Sequence, residues 1–324
     1  MSTLPKIAGK KPVSPYNTLA KEFLLDLFQR GYSETTIKTY GWHLYQLCAW
    51  LTEEGYSEPC KISKLVIRER GAFVRAKYSP ATQKQNVTVT KAFFQFLVDE
   101  EICAINPADV LHFPKVLITE QRTFSADEIR KMLESLDDSP TDIRNRAIIV
   151  TFLETGVRAA ELVGIRLQDI YLNKMKIAIT GKGGNREMVY LSREAKKHIL
   201  EWWRKRTLIA SRNVDNLFVA IGGITPGYAL TTRGVRTIIK NVGDRAGVPN
   251  ASPHAFRRSF ATLRIKLGQP TRSIQHLGRW KDLKTFERYT LVLTHDDEFA
   301  RQSASGYSIV SNLYDSNFKK AEQT

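Results

Sequence analysis

The stretch TGVRAAEL, residues 155–162, decides how the second half of the chain is interpreted. Gly156 interrupts one helical pattern, and Arg158 stands in the first turn of the helix that follows. Glu161 comes three residues later on the same helix face, where its carboxylate can orient the Arg158 guanidinium. The stretch therefore predicts a helix break that presents one oriented cation.

A second stretch, PHAFRRSFA at residues 253–261, repeats this spacing further along the chain. His254 and Arg257 are three residues apart and share a helix face, whereas Arg258 points elsewhere. An imidazole and a guanidinium on one face can donate hydrogen bonds to the same anionic group. The stretch predicts a second part of a cationic site, and Arg258 is given no catalytic role.

Two further segments supply the other groups that such a site needs. The glycine-rich segment GKGGN, residues 181–185, lies between two strand-like runs and predicts a hairpin turn with Lys182 at its tip. Near the end of the chain, LGRW at residues 277–280 is followed by Tyr289, nine residues after Trp280. These segments add an ammonium, an indole and a phenol to the two guanidinium groups.

Transfer of a DNA phosphate without a metal requires a nucleophile, cations for the nonbridging oxygens, and an acid for the departing alkoxide. The side chains above include all three. The sequence contains no HExxH, GxxxxGK[ST] or EF-hand pattern, and its carboxylates form no obvious cluster. A metal nuclease or a nucleotide hydrolase is therefore disfavoured, and we expect no cofactor.

The charge balance indicates the same substrate class. The 49 Lys and Arg outnumber the 33 Asp and Glu, which gives a formal net charge of +16 and favours association with polyanions. The N-terminus lacks the apolar core of a signal peptide, and no apolar run approaches the roughly 20 residues that span a bilayer. We expect a cytoplasmic, nucleoid-associated protein that binds double-stranded DNA and no membrane.

Periodicity and helix caps divide the chain into two domains. Ser125 and Glu128 form a capping box that starts the second domain, in which helices accompany a small antiparallel sheet. The fold class is therefore mainly α with a small sheet (α+β). The predicted segments are a flexible basic arm (1–15), a compact four-helix domain with exposed basic residues (16–110), a linker (111–124), a second domain (125–300) and a tail (301–324). In the second domain, strand-like runs are predicted at 175–180, 187–191 and 217–221, and a last helix near 284–293.

In their order and spacing, the motifs resemble those of the tyrosine recombinases, or phage integrase family. The shared pattern is TG-x-R-x-x-E-L, then G-K-G in a hairpin, H-x-x-R, L-G-x-W, and a tyrosine nine residues after the tryptophan. The resemblance covers about residues 125–295, and the helical domain that closes at 106–108 (Asn-Pro-Ala) resembles their core-binding domain. It implies a core-binding domain and a catalytic domain that form a C-shaped clamp around duplex DNA.

The resemblance also implies the roles of the motif residues. Arg158 and Arg257 would clamp the scissile phosphate, and Glu161 would support them. Lys182 would protonate the 5′-oxygen leaving group. His254 would be a phosphate donor or a proton acceptor, and Tyr289 would be the nucleophile that forms a 3′-phosphotyrosyl link. Four protomers on two DNA sites would exchange strands through a Holliday junction without ATP or metal, because the phosphotyrosyl bond conserves the energy of the broken phosphodiester.

Trp280 departs from the commonest family pattern, which has histidine at this position, and is similar to the Cre-like subset. An indole N–H can only donate a hydrogen bond, so Trp280 could hold a nonbridging oxygen but could not transfer a proton. Arg258 is a second departure, because many members carry histidine there.

Two other functions stay open at this stage. A type IB topoisomerase uses a similar chemical set without pairing two sites, although the core-binding domain and the small size favour a recombinase. A noncatalytic DNA-binding protein on an inactive scaffold is disfavoured by the intact motif set. In the tail, the spacing of Ile309, Val310, Leu313 and Phe318 suits either a short helix that docks on a neighbouring protomer or a disordered segment. The recognised DNA sequence, the choice between integration and dimer resolution, and a need for accessory DNA-bending proteins are open.

Overall fold

A computed structural model of the chain describes residues 16–115, 121–181 and 184–281. The chain separates into two compact units, residues 1–118 and residues 119–324, and each is described by itself. The predicted basic arm, Lys182, Tyr289, the helix near 284–293 and the tail lie outside the described residues. In the part that is described, no helix combines the length and the apolar character needed to cross a membrane.

The first unit contains four helices joined by short connections. Their bounds are α1 (Asn17–Gln29), α2 (Glu34–Glu53), α3 (Lys64–Lys77) and α4 (Pro80–Asp99). Ser33 and Ser63 begin α2 and α3 by accepting a hydrogen bond from the backbone N–H three residues on, and Pro80 occupies the first turn of α4. Local capping signals in the sequence therefore set where these helices begin.

Aromatic residues fill the interior of this unit. The Phe23 ring of α1 lies 5.6 Å from that of Phe93 and 5.5 Å from that of Phe96, both on α4. Apolar residues at helical spacing face inward, and polar residues face outward. The exposed residues include most of the basic ones predicted on the surface: Lys38, Arg68, Arg75, Lys77 and Lys84.

The second unit combines helices with one three-stranded antiparallel sheet in the order β1-β2-β3. Its helices are α5 (Ala126–Glu134), α6 (Pro140–Thr155), α7 (Ala159–Gly164), α8 (Arg193–Arg206), α9 (Thr232–Arg245), α10 (Pro253–Lys266) and α11 (Thr271–Gly278). Its strands are β1 (Ile170–Tyr171), β2 (Lys176–Thr180) and β3 (Arg186–Tyr190). The predicted fold class, mainly α with a small antiparallel sheet, is confirmed.

Helix α6 runs through the core of this unit, and Ala147, Ile148, Ile149 and Phe152 are all fully buried. Its C-terminal end lies at Thr155, directly before the TGVR turn. On α8, Trp202 is also fully buried and donates from its indole to the Leu217 carbonyl at 2.8 Å. The packed core therefore holds the turn that follows α6 in a fixed place.

The prediction of a strand at residues 217–221 is wrong. The Leu217 carbonyl is bonded to Trp202 and its N–H to the Ile165 carbonyl, while the Phe218 carbonyl accepts from Leu230. The backbone groups of this apolar run thus pair with three separate segments, and the run is a loop with one isolated antiparallel bridge, between Val219 and Ala229. The first strand, β1, was missed because two residues are too short to show a period.

Candidate active site

The TGVR turn begins with a glycine that its neighbours require. Gly156 ends α6 with a φ of +61°, in the left-handed region that glycine adopts without strain. A side-chain Cβ at this position would lie 2.8 Å from a ring carbon of Phe260. The turn places Gly156 against Phe260 of α10 and leaves the Gly156 carbonyl to accept a hydrogen bond from Arg257.

Arg158 stands at the start of α7 with extended backbone, and Glu161 binds it twice. The Glu161 carboxylate accepts from the Arg158 backbone N–H at 2.8 Å and from its Nη1 at 2.7 Å. The Glu161 side chain is only 3% exposed, whereas that of Arg158 is 43% exposed. A buried carboxylate therefore orients a guanidinium whose other side faces solvent, where a phosphate could reach it.

Glu161 stays ionised despite its burial. Desolvation would raise its pKa, but the Arg158 backbone hydrogen bond and the charges of Arg279 and Arg158 outweigh it. The net effect holds the pKa of Glu161 below its ordinary value. The predicted role of Glu161, to orient the Arg158 guanidinium, matches this geometry.

Arg257 of α10 is buried and joins the two other motif segments. Its guanidinium donates from Nη1 to the Gly156 carbonyl, and from Nη2 to the Gly278 carbonyl at 2.6 Å. The same group lies over the Trp280 ring, 4.6 Å from the centroid, in a cation–π contact. One side chain thus connects the TGVR turn, the PHAFRR helix and the LGRW segment, which are far apart in sequence.

Trp280 packs directly across Gly278. A Cβ added to Gly278 would lie 1.8 Å from a carbon of the Trp280 ring, so only glycine fits beneath it. The ring is also held beside Phe260 at 6.1 Å, and the Trp280 carbonyl accepts from the Gln275 side chain at 3.1 Å. Trp280 is 7% exposed, and in this arrangement its ring supports the Arg257 guanidinium.

His254 lies in the first turn of α10 and is exposed to solvent. Partial desolvation lowers its pKa, and the positive charges of Arg258, Arg236, Arg257 and Arg158 lower it further. At neutral pH the imidazole is therefore neutral and can accept a proton.

Residues 122–295 match the phage integrase family, and residues 20–101 match the SAM-like N-terminal domain of phage integrases. The chain belongs to the phage integrase family. It is 30% identical over 280 residues to the tyrosine recombinase XerC of Halalkalibacterium halodurans, a match that covers 83% of this chain and 91% of that protein. It is accordingly a DNA breaking-and-rejoining enzyme of the tyrosine recombinase type.

Solved structures share the fold. The XerH site-specific recombinase in a post-cleavage complex with a palindromic difH substrate superposes with a TM-score of 0.69 at 21% identity, covering 94% of this chain and 91% of that one. A lambda integrase tetramer bound to a Holliday junction gives a TM-score of 0.68 at 16% identity, covering 84% and 76%. At these identities the likeness concerns the fold.

Direct contacts join four of the residues singled out in the sequence, as the pairs Arg158–Glu161 and Arg257–Trp280, and the charges of Arg257 and Arg158 lower the pKa of the fifth, His254. Lys182 and Tyr289 lie outside the described residues. The strands β2 and β3 on either side of the GKGGN segment pair from Thr180–Arg186 onward, which agrees with a hairpin.

Two arginines have partners that local spacing did not reveal. Arg258 donates to the Arg122 carbonyl at 2.8 Å and to the Gln121 side chain, so it anchors residues just before α5. Arg279, within the LGRW segment, donates to Glu161 at 2.8 Å. Sequence reasoning missed Arg279, because its partner lies 118 residues away and no periodic pattern connects them.

The depressed pKa of His254 predicts a pH dependence of stability. The unfolded chain binds a proton at a higher pH than the folded one does, so lowering the pH through the ordinary histidine pKa favours unfolding. We expect the free energy of unfolding of the wild type to fall more than that of His254→Gln between pH 8 and pH 5, as checked by urea denaturation. Parallel curves for the two proteins would contradict this prediction.

Proposed function

We propose that this protein performs site-specific DNA strand exchange through a 3′-phosphotyrosyl intermediate on Tyr289. The observation that carries the proposal is the contact of the Arg257 guanidinium with the Gly156 and Gly278 carbonyls and the Trp280 ring. That contact assembles three motif segments into one cationic site beside Arg158. Such a site can stabilise the charge that develops on the nonbridging oxygens of a phosphate under attack.

In the proposed cleavage step, the Tyr289 oxygen attacks the scissile phosphorus while the bond from phosphorus to the 5′ oxygen breaks. The ordinary tyrosine pKa is near 10, so the site must favour phenolate character in the transition state. His254, whose lowered pKa leaves it neutral at pH 7, would accept the phenol proton, and Lys182 would protonate the leaving 5′ oxygen. Rejoining is the reverse reaction with the 5′ hydroxyl of another strand as nucleophile.

Arg158 and Arg257 have different roles in this proposal. Arg158 is the more exposed guanidinium and would contact a nonbridging oxygen directly. Arg257 is buried, and its guanidinium donates to the carbonyl of Gly156, two residues before Arg158. Trp280 stands at the position that distinguishes the Cre-like subset, and its indole N–H would donate to a nonbridging oxygen once DNA is bound. Without DNA, its ring packs against the Arg257 guanidinium.

We infer that the functional assembly is a homotetramer on two DNA sites, with strands exchanged in two steps through a Holliday junction. The fold that this chain shares with the tetrameric lambda integrase bound to such a junction supports this assembly. Excision or integration of a mobile element and resolution of DNA dimers use the same chemistry, so the DNA site and any DNA-bending accessory protein select between them. The reaction would take place in the cytoplasm, on nucleoid DNA.

The test is a supercoiled plasmid that carries two copies of a site recovered by selecting bound duplexes from a random pool. Strand exchange predicts recombinant circles and a junction intermediate, both dependent on two sites and absent with Tyr289→Phe. Relaxation without recombinants on a plasmid lacking any site would instead support a type IB topoisomerase. Specific binding with no strand breakage would support a noncatalytic DNA-binding protein.

A further inference from the structure

Arg279 ends α11 in a backbone conformation that ordinarily belongs to glycine. Its φ is +57° and its ψ is 43°, in the left-handed region. A residue with a Cβ is strained in this region, because its Cβ approaches the following carbonyl oxygen, whereas glycine is not. Glycine is the residue that most often ends helices in this way, so the presence of arginine indicates that its side chain contributes something that offsets the strain.

The Arg279 guanidinium connects three elements of the site. It donates from Nη2 to Glu161 Oε2 at 2.8 Å, and its Nε lies 3.7 Å from Glu187 Oε2 at the beginning of β3. Its side chain is 9% exposed, although burial of an arginine costs free energy. With Trp280 and Glu187 it lines a cavity of about 600 Å³ next to the site.

The negative charge of Glu161 opposes the positive charge of Arg158, and Arg279 can offset it. Glu161 orients Arg158, but a carboxylate 2.7 Å from a guanidinium also weakens the positive potential that this guanidinium offers to a phosphate. Arg279 binds the same carboxylate from the other side and offsets its charge. Its Nε and Nη1 have no hydrogen-bond acceptor among the described residues, and a second carboxylate, that of Glu187, lies 3.7 Å from Nε.

We propose that Arg279 is a positioning residue for strand cleavage. By pairing with Glu161 and Glu187, it holds the carboxylate that orients Arg158 and offsets its charge, so that Arg158 keeps its positive charge toward the scissile phosphate. This inference rests on the proposed function, because it concerns the same reaction at the same phosphate.

The variant Arg279→Gly separates this role from a structural one. Glycine adopts a φ of +57° without strain, so the backbone at the end of α11 is preserved while the guanidinium is removed. Arg279→Lys keeps a charge but loses the planar fork that spans two carboxylates. Arg245→Ala is the matched control, because Arg245 also pairs with a buried carboxylate, Asp142, at 2.8 Å. Asp142 lies near the start of α6, and the active site lies at its other end.

The experiment measures single-turnover cleavage of a nicked duplex, with either a normal phosphate or a neutral methylphosphonate at the scissile position. We expect Arg279→Gly to bind the duplex as the wild type does and to cleave the normal phosphate up to about 100-fold more slowly. The defect should shrink on the methylphosphonate, in which a methyl group replaces one nonbridging oxygen, so that the transition state carries one negative charge fewer for Arg158 to stabilise. The cleavage rate of Arg279→Lys should lie between those of Arg279→Gly and the wild type, and Arg245→Ala should cleave like the wild type.

A double variant gives an independent result. If Arg279 acts by offsetting Glu161, then adding Glu161→Gln to Arg279→Gly removes the uncompensated charge and should restore part of the cleavage rate. Cleavage by Arg279→Gly within about twofold of the wild type, an equal defect on both substrates, or no gain from Glu161→Gln would overturn the inference. Failure of the wild type to form any adduct would instead overturn the proposed function.

Discussion

Replacing Arg257 with alanine is expected to lower single-turnover DNA cleavage by about 10²- to 10³-fold, the usual loss when one charged or polar donor is removed from a transition-state site. The guanidinium bonds the Gly156 and Gly278 carbonyls and lies on the Trp280 ring, so its removal takes away both a charge and the connection between three segments. Arg257→Lys should lose most of the activity as well, because the compact lysine ammonium lacks the planar fork with which the guanidinium bonds two carbonyls at once.

The same substitution should lower the free energy of unfolding. Each buried carbonyl that loses its donor costs about 1–3 kcal/mol, and thermal unfolding would measure the sum. Arg258→Ala is the control on the same helix, since Arg258 anchors the Arg122 carbonyl. At pH 8, where the His254 imidazole is neutral with or without the charge of Arg258, it should cleave within about twofold of the wild type. If Arg257→Ala folds and cleaves as well as Arg258→Ala does, Arg257 has no part in the reaction.

Gly278→Ala is expected to reduce cleavage by roughly 100-fold, although it adds only one methyl group. That methyl would lie 1.8 Å from the Trp280 ring, so the ring must move. Its movement removes the surface on which Arg257 rests and displaces the Gly278 carbonyl that Arg257 binds. Overpacking of this kind also costs about 1–3 kcal/mol of stability, which thermal unfolding would detect.

Gly164→Ala provides the matched control for this variant. Gly164 ends α7 in the same unit, and a Cβ there would meet nothing within 4 Å. We expect wild-type cleavage and equal or slightly higher stability, because alanine restricts the unfolded chain more than glycine does. Equal cleavage by Gly278→Ala and Gly164→Ala would show that the contact between Gly278 and Trp280 does not matter for the site.

The parts of the fold that could be predicted from sequence are those set by local interactions. The Ser125 and Glu128 side chains form the expected capping box at the start of α5, because both partners lie within one turn. Residues 217–221 were mistaken for a strand, since an apolar run has the same composition whether it pairs in a ladder or is buried as a loop. Only the tertiary partners of Leu217 and Phe218 decide between the two.

In the candidate active site, too, the local contacts could be predicted from the sequence and the long-range contacts could not. The contact between Arg158 and Glu161 follows from their spacing of three residues, because Arg158 caps α7 and the Glu161 carboxylate reaches back to it from the first turn. The contact of Arg257 with Gly156 spans 101 residues, and that of Arg279 with Glu161 spans 118, so no periodicity predicts them. Arg279 also occupies a backbone conformation in which sequence rules anticipate glycine or asparagine, and the compensating carboxylates become evident only in three dimensions.

We propose that Arg158, Arg257 and Tyr289 act on one phosphate, and the most direct test is to trap the covalent intermediate. A duplex with the recognised site and a nick just downstream of the scissile phosphate releases a short fragment that carries the 5′ hydroxyl after cleavage, so the protein–DNA adduct accumulates and its peptide can be sequenced by mass spectrometry. We predict a single adduct that joins Tyr289 to a 3′ phosphate and forms far more slowly with Arg158→Ala or Arg257→Ala. An adduct on another residue, attachment to a 5′ phosphate, or an unchanged rate in both arginine variants would contradict the proposal.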